Sequence, residues 1–130
     1  MFTGTQVLAH FIGDYLLQSG WMAENKVKRS SVALIHAFVY SLPFVVLLHP
    51  SLAAYAVIMG THFAIDRWRL ARYVVFAKNF LAPPSAWVSW SECSDMGFHK
   101  DTPPFLAVWL MIVTDNVIHV IINALALSYL

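Results

Sequence analysis

Apolar residues along this chain gather into four long stretches, Phe2 to Gln18, Val32 to Leu48, Ser51 to Asp66 and Phe105 to Leu130, instead of alternating with polar ones. Runs this poor in charge predict helices that are apolar on every side, which a bilayer solvates better than water does. The first three lie at or below the short end of the usual spanning length of about 17 to 25 residues, so thinned bilayer or tilted packing is expected. His49-Pro50-Ser51 predicts a tight turn that sets the second and third stretches antiparallel and close together. From Arg67 to Leu81, cations interleave with Trp68, Leu70, Tyr73, Val74 and Phe76, the pattern of an amphipathic helix lying in the membrane interface. Pro83-Pro84 and Pro103-Pro104 then bracket an irregular loop containing Trp87, Trp90 and His99. The expected fold is all-α, a single-domain polytopic membrane bundle with four transmembrane helices and one cytoplasmic interfacial helix over residues 67–81.

Composition agrees, with 59% hydrophobic, 15% aromatic and 12% charged residues, far more apolar than a soluble domain of this size. The single cysteine, Cys93, excludes an intramolecular disulfide. No Lys or Arg precedes Lys26, so the first stretch lacks the basic start of a cleaved signal peptide and is expected to be retained. A net charge of +1 gives no nucleic-acid surface. Lys26, Lys28 and Arg29 fall between stretches one and two, and Arg67, Arg69, Arg72, Lys78 and Lys100 between three and four. The positive-inside rule makes both loops cytoplasmic and both termini periplasmic in a bacterial inner membrane. The bilayer is then the first partner, and so few spans leave room for a homo-oligomer.

Three of the four stretches carry one His and one Asp four residues apart: His10 and Asp14, His62 and Asp66, Asp115 and His119. Side chains at i and i+4 leave a helix on one face. The order reverses in the last pair, where chain direction across the membrane also reverses, so all three histidines are expected nearer the outside. The aspartates then form a layer about 6 Å closer to the cytoplasm. Counted from the outer helix ends, His10, His62 and His119 all lie about 15 Å in, near mid-bilayer, and His36 falls between the two layers.

Carboxylates in hydrocarbon need compensating charge, and no Lys or Arg lies within any expected span. Protons or metal must supply it. Imidazoles beside carboxylates suit a divalent transition metal, Zn first and Fe or Mn as alternatives. The seven candidate ligands His10, Asp14, His36, His62, Asp66, Asp115 and His119 exceed one tetrahedral shell, so two ions bridged by aspartate are expected. A His/Asp proton relay is the rival reading. Gln18, Thr61, Thr114 and Asn116 adjoin these residues and can orient them, or simply bond between helices.

HFIGDYLLQSGWMAENK, from His10 to Lys26, together with His36, THFAIDRW and DNVIH, resembles a family of small bacterial and phage membrane proteins described only as a domain of unknown function. The resemblance covers nearly the whole chain, and its most specific part is the H-x-x-x-D-x-x-L-Q block followed by the lysine. The chain is similar, less closely, to inner-membrane proteins described as metal-dependent hydrolases. The resemblance implies that the seven residues act together and that Gln18 and Lys26 join them.

The expected function is a membrane-embedded metal-dependent hydrolase acting on a lipid or other membrane-proximal phosphoester or acyl group. Asp14 and Asp66 are the expected catalytic carboxylates, with Lys26 or an arginine of the 67–72 segment holding a lipid phosphate. A metal or proton-coupled carrier, a protein stapled by structural metal, and a di-iron oxygenase are the alternatives, in that order.

Overall fold

Thr3 starts the first helix by accepting a hydrogen bond from the Gln6 amide at 3.3 Å, an N-cap that satisfies one orphan donor of the first turn. The computed structural model describes residues 2–130. The first helix, α1 (Gly4–Phe11), continues into a π-helical turn, Ile12–Leu16, and the chain then forms α2 (Gly20–Asn25), capped by Ser19. There follow α3 (Ser30–Leu48), α4 (Leu52–Trp68), α5 (Ala71–Lys78), three short 3-10 turns and α6 (Pro104–Tyr129). No strand occurs among the described residues, so the all-α expectation stands; an isolated bridge joins Cys93 and His99.

Two helices, α3 and α6, are long and apolar enough to cross a membrane. The other two expected spans are shorter. In place of one helix over residues 2–18 there are α1 and the π turn, which Leu17 ends, and α4 has 17 residues. The His49-Pro50-Ser51 turn forms as expected: His49 adopts a left-handed conformation with φ 46°, and Ser51 caps α4 through the Ala54 amide. The expected interfacial helix begins only at Ala71, because Arg69 ends α4 in a left-handed conformation with φ 48°.

The chain forms two compact units. The first comprises the residues up to Arg69 together with His119–Leu130; α3 lies against both α1 and α4. Its apolar core is Ala9, Tyr40, Phe44, Ala54, Ile58 and Ala126. Polar side chains share the buried interior of this unit while many large apolar ones face outward. On α3, His36, Tyr40 and Ser41 are buried while Leu34, Ile35, Phe38, Leu42, Val45 and Val46 are exposed. Gln6, His10, His62, His119 and Asn123 are also buried.

The second unit, Leu70–Ile118, packs Ala71 and Val75 of α5 against Met111, with Met96, Phe98 and Ile118 alongside. Its irregular connection is organised by aromatic contacts: the Trp90 ring stacks on Tyr73 at 5.3 Å and meets Phe76 edge-on at 5.1 Å. Gly97 has φ 83°, and a Cβ there would collide with the Arg72 carbonyl, so only glycine fits.

Candidate metal centre

The π turn after α1, the middle of α3 and the C-terminal half of α4 each deliver side chains to one buried point. The α1 continuation brings Asp14, α3 brings His36, and α4 brings His62 and Asp66 on consecutive turns. A π turn widens the helix locally and re-aims its side chains, and such turns recur at functional sites. Here the turn allows close approach to α3: a Cβ on Gly13 would lie 2.6 Å from the Tyr40 carbonyl oxygen and 2.7 Å from Tyr40 Cδ2. Gly13→Ala should therefore push the turn off α3 and cost about 1–3 kcal/mol, read as a lower melting temperature. An unchanged melting temperature would show that the helices separate without loss.

His36 Nε2 lies 3.2 Å from Asp14 Oδ1, 3.2 Å from Asp66 Oδ2 and 3.0 Å from His62 Nε2. His62 Nε2 in turn lies 3.1 Å from Asp66 Oδ2 and 3.5 Å from Asp14 Oδ1. All four residues are buried and form a group able to hold a metal ion. Each imidazole Nε2 carries at most one hydrogen, so not all five contacts can be hydrogen bonds at once, and a metal ion could be held by the group instead. Four N and O ligands about 2.0 to 2.2 Å from a tetrahedral ion are separated from each other by about 3.3 to 3.6 Å, close to the spacing observed.

The second oxygen of each carboxylate faces another imidazole. Asp14 Oδ2 is 3.7 Å from His10 Nδ1, and Asp66 Oδ1 is 3.6 Å from His119 Nε2. The two aspartates thus stand between an inner pair of histidines and an outer pair. Within each helix the imidazole and the carboxylate meet across the step of about 6 Å between successive turns, as His10 with Asp14 and His62 with Asp66.

Lys26, which lies outside the expected spans, reaches the carboxylates and brings charge that the spans themselves lack. Its ammonium pairs with Asp66 Oδ2 at 2.7 Å and lies 3.4 Å from His36 Nε2, with the side chain 17% exposed. The connection after α2 carries it inward, and Arg67 secures that connection by donating to the Val27 carbonyl at 2.8 Å and to Ser30 Oγ at 3.0 Å. The ammonium supplies one positive charge beside two aspartates.

Tyr40, fully buried, has a central role that its sequence context does not announce. Its ring stacks on His62 at 3.5 Å with a 9° interplanar angle. His36 Nδ1 and His62 Nδ1 have no hydrogen-bond acceptor, so stacking, and not a carboxylate behind the ring, fixes the His62 plane. Tyr40 Oη accepts from Asn123 Nδ2 at 2.6 Å and lies 2.9 Å from His10 Nδ1, to which its own hydroxyl can donate. Farther along, Gln6 Nε2 donates to the Val120 carbonyl at 2.8 Å. The one signal in the sequence is position: Tyr40 follows His36 by one helical turn.

Residues 2–130 match a family described as protein of unknown function (DUF3307). The chain belongs to this family. The match covers all four apolar stretches of the DUF3307 chain and its seven candidate ligands. No curated protein and no solved structure matches the chain.

Asp115 is half-buried on α6, one turn before His119, and belongs to the second unit. Gln18 Oε1 is buried without a hydrogen-bond partner. Thr61 Oγ1 donates to the Val57 carbonyl at 2.7 Å, Thr114 Oγ1 to Leu110 at 2.7 Å, and Asn116 Nδ2 to Ile112 at 2.7 Å, each within its own helix. Thr114 also accepts from Lys78 at 2.7 Å.

Proposed function

We propose that this DUF3307 protein is a membrane-embedded metal-dependent hydrolase whose ion is held by Asp14, His36, His62 and Asp66. The observation that carries this reading is the 3.0–3.5 Å spacing among four ligand atoms, which fits one ion better than any distribution of protons. A second ion, which the number of candidate ligands leaves room for, would be held by His119 and the far oxygen of Asp66, 3.6 Å apart. Zinc is the ion proposed first, with iron or manganese compatible with the same donors.

Membrane embedding is supported by the apolar exterior and polar interior of the first unit, and by the two helices long enough to span. α1 with its π turn and α4 complete the four proposed crossings at about 20 and 25 Å of axial length, which calls for a locally thinned inner membrane. The proposed topology has the Lys26–Arg29 and Arg67–Lys100 segments in the cytoplasm and both termini in the periplasm, a reading the clustered cations support through the positive-inside rule.

Bound metal supplies a water acidified toward neutral pH and a Lewis acid for the scissile group. The chain's own residues do the rest. One aspartate, when not fully engaged as a ligand, accepts the proton of the attacking water. Lys26, the partly exposed cation at this cluster, meets a phosphoester or acyl oxygen arriving from the cytoplasmic side. Tyr40 holds His62 in plane. The test is turnover by metal-loaded protein in detergent, on bis(p-nitrophenyl) phosphate and on mixed-micelle phospholipids, comparing wild type with Asp14→Asn. Metal-dependent turnover that falls by at least about a hundredfold in the variant is expected. Full metal occupancy with no turnover on any substrate would overturn the hydrolase reading. A carrier would then take its place, since an ammonium lodged beside the ligands suits a site that fills and empties.

A further inference from the structure

The second unit holds a cavity of about 410 Å3, lined among others by Lys78, Asn79, Val88, Phe98, His99 and Thr102. An ammonium, an imidazole, an amide and a hydroxyl line it and no carboxylate does, the nearest carboxylate to the imidazole being Asp101, whose Oδ2 lies 3.5 Å from His99 Nδ1. The amide is committed to structure, since Asn79 Nδ2 donates to the Gly97 carbonyl at 2.8 Å. Lys78 donates to Thr114 Oγ1 at 2.7 Å and lies 5.3 Å from the Phe98 ring centroid. It pairs with no carboxylate among the described residues. Partial burial pushes the Lys78 pKa below the usual lysine value, with no carboxylate beside it to offset the shift.

The rim adds a second requirement. Leu81 is 89% exposed, and Phe80 and Trp87 are exposed beside it, so large apolar side chains flank the cavity in sequence on the Lys78 side. Trp87 is fixed there by donating its indole N–H to the Ala82 carbonyl at 2.8 Å. A partly buried cation without a carboxylate partner, next to exposed apolar side chains, matches a ligand that is anionic at one end and apolar at the other.

We propose that this cavity binds the phosphate group of an anionic amphiphile, with Lys78 as its counter-ion and the Phe80–Leu81 and Trp87 side chains against its apolar part. The site shares no residue with the metal cluster and does not depend on it.

The test is a tryptophan-fluorescence titration of the full chain in non-ionic detergent with three probes: short-chain phosphatidylglycerol, short-chain phosphatidylcholine and inorganic phosphate. Saturable binding of phosphatidylglycerol is expected, weakened about fivefold or more by Lys78→Gln and retained by Lys78→Arg. Lys100→Gln, which removes the same charge outside the cavity, should change it less than twofold. If inorganic phosphate binds as tightly as phosphatidylglycerol and with the same dependence on Lys78, the phosphate site stands and its source is the free ion. If Lys78→Gln lowers the melting temperature, Lys78→Arg against His99→Gln carries the comparison, with binding kept in the first and weakened in the second. Equal binding of phosphatidylcholine, or equal losses in Lys78→Gln and Lys100→Gln, would overturn the proposal.

Discussion

Asp66→Asn should remove metal from the protein more completely than any other single conservative substitution. Asp66 Oδ2 contacts Lys26, His36 and His62, and its Oδ1 faces His119, so one carboxylate joins both histidine pairs. Asparagine keeps the shape and removes the charge, leaving donors where the imidazole nitrogens need an acceptor or an ion. Metal affinity should fall by at least about a hundredfold, since even residues that only orient a ligand are worth about ten- to a hundredfold. The Lys26 ammonium also loses its partner, costing about 3 kcal/mol in metal-free protein, because removing half of a buried pair strands the other half. Equilibrium dialysis and thermal melts with and without metal check both effects. Native affinity in the variant would remove Asp66 from the ligand set.

Lys26→Met should produce the opposite pattern. Without the ammonium, Asp14 and Asp66 face each other with no lysine or arginine to compensate them, so metal-free protein should lose about 3 kcal/mol of stability. A divalent ion would restore the balance, and it no longer has to displace an ammonium 2.7 Å from one of its ligands. The melting-temperature rise on adding metal should therefore be larger in Lys26→Met than in wild type. A smaller or equal rise would mean that Lys26 and the ion do not compete.

The helices and most of the buried His/Asp group are legible in the sequence for simple physical reasons. Long uncharged runs predict helices, and His and Asp four residues apart must share a face, so spacing alone pairs His10 with Asp14 and His62 with Asp66. Other features depend on geometry that periodicity does not encode. Lys26 reaches Asp66 because Arg67 ties down the connection that carries it, a contact between residues 40 positions apart. Tyr40, inside an apolar helix, reads as ordinary core, and only the His62 ring stacked on it reveals its role. The π turn at Asp14 follows no sequence period, and Gly13 marks it only through the space that Tyr40 needs. In the second unit, α5 stops short of the expected interfacial helix because aromatic stacking between Tyr73, Phe76 and Trp90, and not continued helix, organises the chain around it.

An ion held among Asp14, His36, His62 and Asp66 is tested most directly by X-ray absorption at the metal edge, on protein purified without chelator. The expected spectrum is that of a transition metal with only nitrogen and oxygen neighbours at about 2.0 to 2.2 Å and an imidazole scattering signature, lost in His36→Ala and His62→Ala. Wild-type protein without metal, a sulfur-coordinated ion, or a spectrum unchanged by both histidine substitutions would contradict it.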